Sequence, residues 1–228
     1  MGLQLEKVVP WGRSLDEYSR MFHLSSDDLH RKILDCAGGP ASFNAEMTRH
    51  GHAVISCDPI YQFSVDEIEC RIQDTYPVIL EGVRENIDSY VWDSIGSPEQ
   101  LGEIRLSAMR QFLDDFSTGR QQGRYPIAEL PRLPFGDRQF DLALCGHFLF
   151  SYSEQLSIAF HLEAIRELCR VADEVRIFPV VALSGDLAPA LPVAIETLAQ
   201  DDYQLDILTV PYQFQKNGNQ LLKITQRR

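Results

Sequence analysis

The sequence predicts a three-layer α/β fold. It has a mostly parallel sheet, an antiparallel strand in a C-terminal hairpin, and a helical insertion after the second strand. Three observations carry this expectation. Apolar strand-like runs alternate with helical patterns before residue 59 and again after residue 124. The stretch "KILDCAGGPASFN", residues 32–44, passes from an apolar run through an acid into a Gly-Gly-Pro turn and then a helix start. Residues 59–123 carry helical periodicity and no convincing strand.

The elements follow in order. Ser14, with Glu17 three residues on, has the form of a capping box, and Ser25 or Ser26 reads as the cap of a second short helix. "KILDCA" reads as a buried strand, "ASFNAEMTRHG" as a helix stopped by Gly51, and "HAVISCD" as a second strand. Strand, glycine turn, helix and strand in about thirty residues make a βαβ unit, whose right-handed crossover sets the two strands parallel. "VDEIECRIQ", "ILEGVRENIDSYVW" and "LGEIRLSAMRQFLDDFSTG" read as insertion helices, with apolar residues such as Leu80, Val83, Ile87 and Val91 three and four apart. The alternation resumes at "YPIAEL". "FDLALCGHFLF" and "EVRIFPVV" follow as strands, "SEQLSIAFHLEAIRELCRV" and "APALPVAIETLAQ" as helices. The end reads as a hairpin closed by Asn217-Gly218. The expected organisation is an N-terminal helical cap over 1–30 and one domain over 31–228, with the insertion at about 77–120. The insertion's apolar stripes must be buried, either as a lid over a pocket or as a dimer interface.

Bulk properties narrow the function. The 228 residues suit one α/β domain with an addition. The net charge is −12, and the densest basic run is the terminal Arg227-Arg228 pair. A phosphate-neutralising groove needs clustered Lys and Arg, so nucleic acid is an unlikely partner. Five cysteines without a CxxC suggest neither a disulfide framework nor a zinc site, and they fit a reducing, cytoplasmic setting. No apolar run reaches the ~20 residues that span a bilayer.

The turn after Asp35 falls at the carboxyl end of the first strand, where parallel α/β sheets bind ligands. Gly38 and Gly39 permit a sharp bend and close approach. Pro40 pre-sets a helical φ, and the turn offers backbone N–H groups to a ligand. Asp58 ends the second strand and is placed to accept both hydroxyls of a ribose. The plainer readings are a simple turn and a helix cap. "AGGPAS" lacks the G-x-G-x-x-G spacing of dinucleotide sites, which counts against NAD and FAD.

At these residues the sequence resembles the class I S-adenosylmethionine-dependent methyltransferases, whose Rossmann-like domain opens with an acid-x-G-x-G-x-G motif. Here "DCAGGPA" sets Ala37, Gly39 and Ala41 in the three small positions. "SCDPIY" supplies the ribose-binding acid, Asp58, with Pro59 beside it. In "AELPRLPFGDRQFDLAL", Glu129 stands where the family contacts the adenine amino group, with Leu130 lending its amide. The likeness spans about residues 30–181. It implies S-adenosylmethionine as cofactor, with Asp35, Ala37, Gly38 and Gly39 around the methionine moiety. Arg13 in "WGRSLDEYSRMF" could pair with the cofactor carboxylate and Tyr18 could line the site; the plainer reading is a solvated Arg and a core Tyr. His147, just after "LALC", is the candidate catalytic base. The alternative is a loop histidine packed on Phe148 and Tyr152. Tyr152 is a second candidate; His161 reads as structural and Trp92 as core. The resemblance implies methyl transfer and says nothing of the acceptor; the acidic charge and a short helical lid favour a small molecule, in a protein that could form a homodimer. The alternatives are a cofactor-binding protein without turnover, or a protein or tRNA methyltransferase.

Overall fold

The computed structural model describes residues 9–226. The first eight residues of the expected cap and the Arg227-Arg228 pair lie outside the described residues. One six-stranded sheet runs in the order β2-β1-β3-β4-β6-β5. Its strands are β1 (Ile33–Cys36), β2 (Val54–Cys57), β3 (Phe140–Gly146), β4 (Ala172–Phe178), β5 (Tyr203–Thr209) and β6 (Gln220–Gln226). β1 pairs in parallel with β2 and β3, and β3 with β4; β6 runs antiparallel to β4 and β5. This is the mostly parallel Rossmann-like sheet with an antiparallel C-terminal strand that the sequence predicts. The chain reverses direction across the sheet between β1 and β3, so the carboxyl ends of those strands form the switch-point crevice.

β1 is buried throughout, as its unbroken apolar run requires of a central parallel strand. One face packs under α5 (Ile158–Val171) and α6 (Ala190–Leu198), through Leu34, Ala143, Ile165, Leu168 and Ala194. The other packs under α1 (Leu15–Met21) and α2 (Phe43–Arg49), through Ile33, Leu144, Met21, Phe43 and Met47. The Ser14–Glu17 capping box at the start of α1 is formed on both sides. Cys36, Cys57, Cys145 and Cys169 are buried among apolar side chains, and Cys70 is exposed.

Several expectations are corrected. α2 starts at Phe43 with Ser42 at its cap, so Pro40 precedes the helix instead of opening it. "YPIAEL" forms no strand. Just before it, the Arg124 carbonyl accepts from Ser56 N–H of β2 at 2.9 Å, and Glu129 makes an isolated bridge with Arg132. Asn217 takes a left-handed φ of 65° in a turn, but the β5–β6 connection runs from 210 to 219. That is too long for a tight hairpin, and it carries Tyr212, Phe214 and Gln215 back toward the crevice. Within the stretch read as insertion, α3 (Val65–Glu85) runs unbroken through Pro77, and a 3₁₀ turn at Ile87–Ser89 and a loop lead to α4 (Pro98–Gln121). The insertion's apolar stripes are buried within the chain: Ile68, Ile72, Phe112 and Phe116 surround Tyr61, while Ile79 and Val83 pack with Tyr90 and Leu101.

One buried ion pair ties the outer elements together. Arg105 on α4 is fully buried; its Nη1 donates to Glu17 on α1 and its Nη2 to the Tyr212 hydroxyl at 3.3 Å. Tyr212 in turn donates to Glu17 at 3.1 Å. Burial alone would raise the Glu17 pKa, but Arg105 more than offsets this and holds the carboxyl below its ordinary value. Arg105→Met strands an unpaired buried carboxylate. The expected cost is about 3–5 kcal/mol in urea unfolding, and the double replacement with Glu17→Leu should recover most of it.

Candidate functional site

The site is built on the turn after β1. Asp35 sits beneath it, 1% exposed, accepting from the Ser56 hydroxyl at 2.8 Å and the Tyr18 hydroxyl at 3.0 Å. Burial pushes its carboxyl up to about 7 against those two donors, and nearby Asp58 adds to the rise. Gly38 is required by contact. A Cβ there would stand 2.3 Å from Asp35 Oδ2 and 3.1 Å from the Tyr61 hydroxyl. Gly39 is required by conformation, at φ 54°. Ala37 shares that left-handed region at φ 58°, a strained place for a residue with a Cβ.

The turn does not offer its N–H groups outward. Ala37 and Gly38 N–H both point to the Cys57 carbonyl, at 2.9 and 3.4 Å, and Gly39 N–H donates to Asp58 Oδ2 at 3.0 Å. The Tyr61 hydroxyl holds the Gly39 carbonyl at 2.8 Å. The sequence reading of bare donors facing a ligand is therefore corrected: β2 lies close enough to consume them.

Two connected spaces open at the carboxyl ends of β1, β2 and β3. They share the rim formed by Ala37, Gly39, Pro40, Asp58 and Phe148. The outer cleft, of about 890 Å³, is lined by Asp58, Pro59, Phe63, Glu129 and Leu130 among others. That volume lies within the ~300–1,000 Å³ of small-molecule sites. The inner chamber, of about 150 Å³, takes Arg13, Tyr18, Gly38, His147 and Tyr152 into its lining. Tyr90, Phe214 and Leu183 close it from the insertion, the 210–219 connection and the segment after β4. The structure thus brings the sequence-predicted residues to one crevice, with Asp35 buried beneath it.

Asp58 is both cap and cleft residue. Its Oδ1 accepts from Ile60 N–H at 2.8 Å, starting the short 3₁₀ turn Pro59–Gln62. Each carboxylate oxygen keeps a further lone pair for a donor from the cleft. Burial lifts its pKa to about 6; the two backbone donors oppose the rise and Glu129 adds to it. Arg13 lies across the turn. Its carbonyl accepts from Ser42 N–H at 3.0 Å, and a Cβ on Gly12 would meet the Pro40 carbonyl at 2.0 Å. The Arg13 guanidinium donates to the Trp11 carbonyl at 3.1 Å, while its Nε is buried with no partner among the described residues.

His147 follows β3 at φ 52°, its N–H on the Phe178 carbonyl at 2.6 Å and its ring edge-on to Phe178. Its Nε2 is buried without a partner among the described residues. Burial, then Arg13 and Arg105, hold its pKa well below the ordinary value, so the imidazole is neutral at physiological pH. His161 bonds the Leu149 and Ser157 carbonyls from inside α5 and is structural. Trp92 is partly buried against Tyr90 and Phe214. Sequence reasoning missed Tyr61, Arg105, and Tyr212, Phe214 and Gln215 of the 210–219 connection. Only Tyr61 had a local signal, as the aromatic ending "SCDPIY".

The backbone of the turn makes its own prediction. Ala37→Gly should relieve ~1–2 kcal/mol of left-handed strain against ~0.5–1 kcal/mol of added chain entropy, leaving urea stability equal or slightly higher. Gly38→Ala should destabilise and displace Asp35.

No protein-family model matches the chain. The chain is similar to the solved structure of magnesium protoporphyrin IX methyltransferase (ChlM) from Synechocystis PCC 6803 with bound SAM. The identity is 12%, over 94% of this chain and 78% of that one, with a TM-score of 0.48. It is also similar to a putative RNA methyltransferase from Pyrococcus horikoshii, at 10% identity, 93% and 85% coverage and a TM-score of 0.46. Likenesses at this level carry no argument about chemistry. The uncharacterized protein MJ0045 of Methanocaldococcus jannaschii is 35% identical over 225 residues, covering 97% of this chain and 98% of that protein. On that likeness along its whole length, the chain belongs to the MJ0045 family.

Proposed function

We propose that this protein is an S-adenosylmethionine-dependent methyltransferase acting on a small-molecule acceptor. The observation that carries the reading is the turn after β1, whose N–H donors are consumed by β2 while carboxylates face the cleft. A pyrophosphate needs free N–H donors at such a turn. A sulfonium cation needs none, and it is favoured by nearby negative charge.

The residues present fit the cofactor. Asp58, with lone pairs to spare and Pro59 beside it, takes the ribose hydroxyls. Glu129 and the Leu130 amide, across the outer cleft, take the adenine edge. Ala37, Gly38 and Gly39 border the methionine, and Arg13, a guanidinium without a carboxylate partner among the described residues, takes its carboxylate. Asp35 acts from below as a positioning residue, holding Tyr18 and Ser56. When bound, S-adenosylmethionine supplies an electrophilic methyl group. The chain contributes alignment and exclusion of water, and His147 receives the acceptor's proton. The insertion is the lid in this reading, with Ile79, Val83 and Tyr90 lining the inner chamber.

Calorimetry with S-adenosylhomocysteine and NADH tests the assignment; binding of NADH alone would sink it. Asp58→Ala should weaken S-adenosylhomocysteine binding by ~1.5–3 kcal/mol for each charge-assisted hydrogen bond lost. The ribose bonds the ionised carboxylate, so affinity should fall as pH drops through about 6, where Asp58 takes up its proton. In Asp58→Asn that dependence should vanish.

A further inference from the structure

The outer cleft has one wall to which the cofactor reading gives no role. Arg71, Asp74 and Thr75, three and four residues apart on α3 of the insertion, line it together with Phe63, Glu129 and Leu130. If the cofactor lies as proposed, with its adenine edge on Glu129 and Leu130, the base stands in the space that this wall bounds.

Local sequence builds the wall. Asp58 starts the 3₁₀ turn Pro59–Gln62, and Phe63 ends it with its N–H on the Ile60 carbonyl at 3.1 Å. The acid assigned to the ribose and an aromatic ring of the cleft therefore stand at the two ends of one short turn. Ser64 then caps α3, and Arg71 follows about two turns on. Its guanidinium carbon lies 3.8 Å from the centroid of the Phe63 ring, a cation–π contact at stacking distance.

An exposed arginine on a helix ordinarily pairs with a carboxylate three or four residues away. Glu67 and Asp74 stand at those spacings. The Glu67 carboxylate is drawn back onto the Ser64 N–H and hydroxyl, both at 2.9 Å, in the capping box of α3. Among the described residues Arg71 makes no ion pair and no side-chain hydrogen bond, and the Phe63 ring is what holds its guanidinium. With the ring on one side, the other side of the ion is open, because Arg71 is exposed. A guanidinium is planar and weakly hydrated, so it stacks on aromatic faces and on bases at little desolvation cost.

Resting on that cofactor reading, we propose that Arg71 is a cofactor-binding residue supplied by the insertion: its guanidinium, backed by the Phe63 ring, stacks on the face of the adenine. Glu129 and the Leu130 amide take the edge of the base, and Arg71 covers its face. The contact selects a π system, so a ligand without the base gains nothing from it. The same helix carries Ile79 and Val83 into the lining of the inner chamber, so the insertion closes over the cofactor as well as over the acceptor.

Calorimetry on the full chain compares S-adenosylhomocysteine with S-ribosylhomocysteine, which lacks the adenine. Arg71→Met should weaken S-adenosylhomocysteine binding about three- to thirtyfold, the range of a cation–π contact, and leave S-ribosylhomocysteine affinity within about twofold. Arg71→Lys keeps the charge and loses the plane, so it should restore only part of the loss. In the unaltered protein, saturation with S-adenosylhomocysteine should move the Arg71 Nε–H proton resonance upfield through the ring current of the base. That measurement decides if the variants fail to fold or S-ribosylhomocysteine binds too weakly to measure. Equal losses for the two ligands, no loss for either, full recovery in Arg71→Lys, or an unmoved Nε–H resonance overturns the inference and leaves the cofactor reading intact. Failure of S-adenosylhomocysteine to bind the unaltered protein overturns both.

Discussion

The Glu17–Arg105 pair is the constraint on which the crevice depends. It joins α1, α4 and the 210–219 connection, three elements far apart in the chain, over the carboxyl ends of β1 and β3. A buried guanidinium is tolerable only with a carboxylate in reach, so each element's position is conditional on the others. With the pair formed, the strap through Arg13 lies on the glycine turn and the aromatic residues of the connection face His147. Burial first, then the Arg13 and Arg105 guanidinium groups, keep His147 uncharged.

The glycine turn illustrates how backbone economy selects a ligand. Dinucleotide sites leave N–H groups free at this position for phosphate oxygens. Here Cys57 and Asp58 consume them. The result is a rigid, small-residue surface that can approach a ligand closely without attracting anions. Asp58 stabilises the turn, caps the following 3₁₀ turn and lines the cleft. The helix-cap reading and the ribose reading of this acid are both compatible with the geometry.

Much of this was legible in local sequence. β1, β2, β3 and β4 announced themselves as apolar runs, and the Ser14–Glu17 capping box is visible at fixed spacing. Gly38 and Gly39 stood out because few residues tolerate their conformation or contacts. Asp58 and Glu129 could be singled out because their places, at a strand end and before "LPF", are set by neighbours in the chain. The errors have equally physical sources. Asn217-Gly218 signals a turn correctly but says nothing about how much chain the turn must serve. Pro77 argues for a break, yet packing of Ile72, Ile79 and Val83 carries α3 through it.

By itself, then, the sequence determined the parallel sheet, its switch point and the acids that border it. These rest on periodicity, turn chemistry and spacing, which act over a few residues. Only the tertiary structure decided that Arg105 is buried against Glu17, that Tyr61 grips the Gly39 carbonyl, and that the turn's donors face β2. Tertiary structure also made the chamber, from Tyr90, His147, Phe178 and Phe214, leaving Nε2 of His147 without a partner among the described residues. Such pairings join residues tens to nearly two hundred positions apart. No local pattern encodes them, because their energy appears only when the chain is packed and water is excluded.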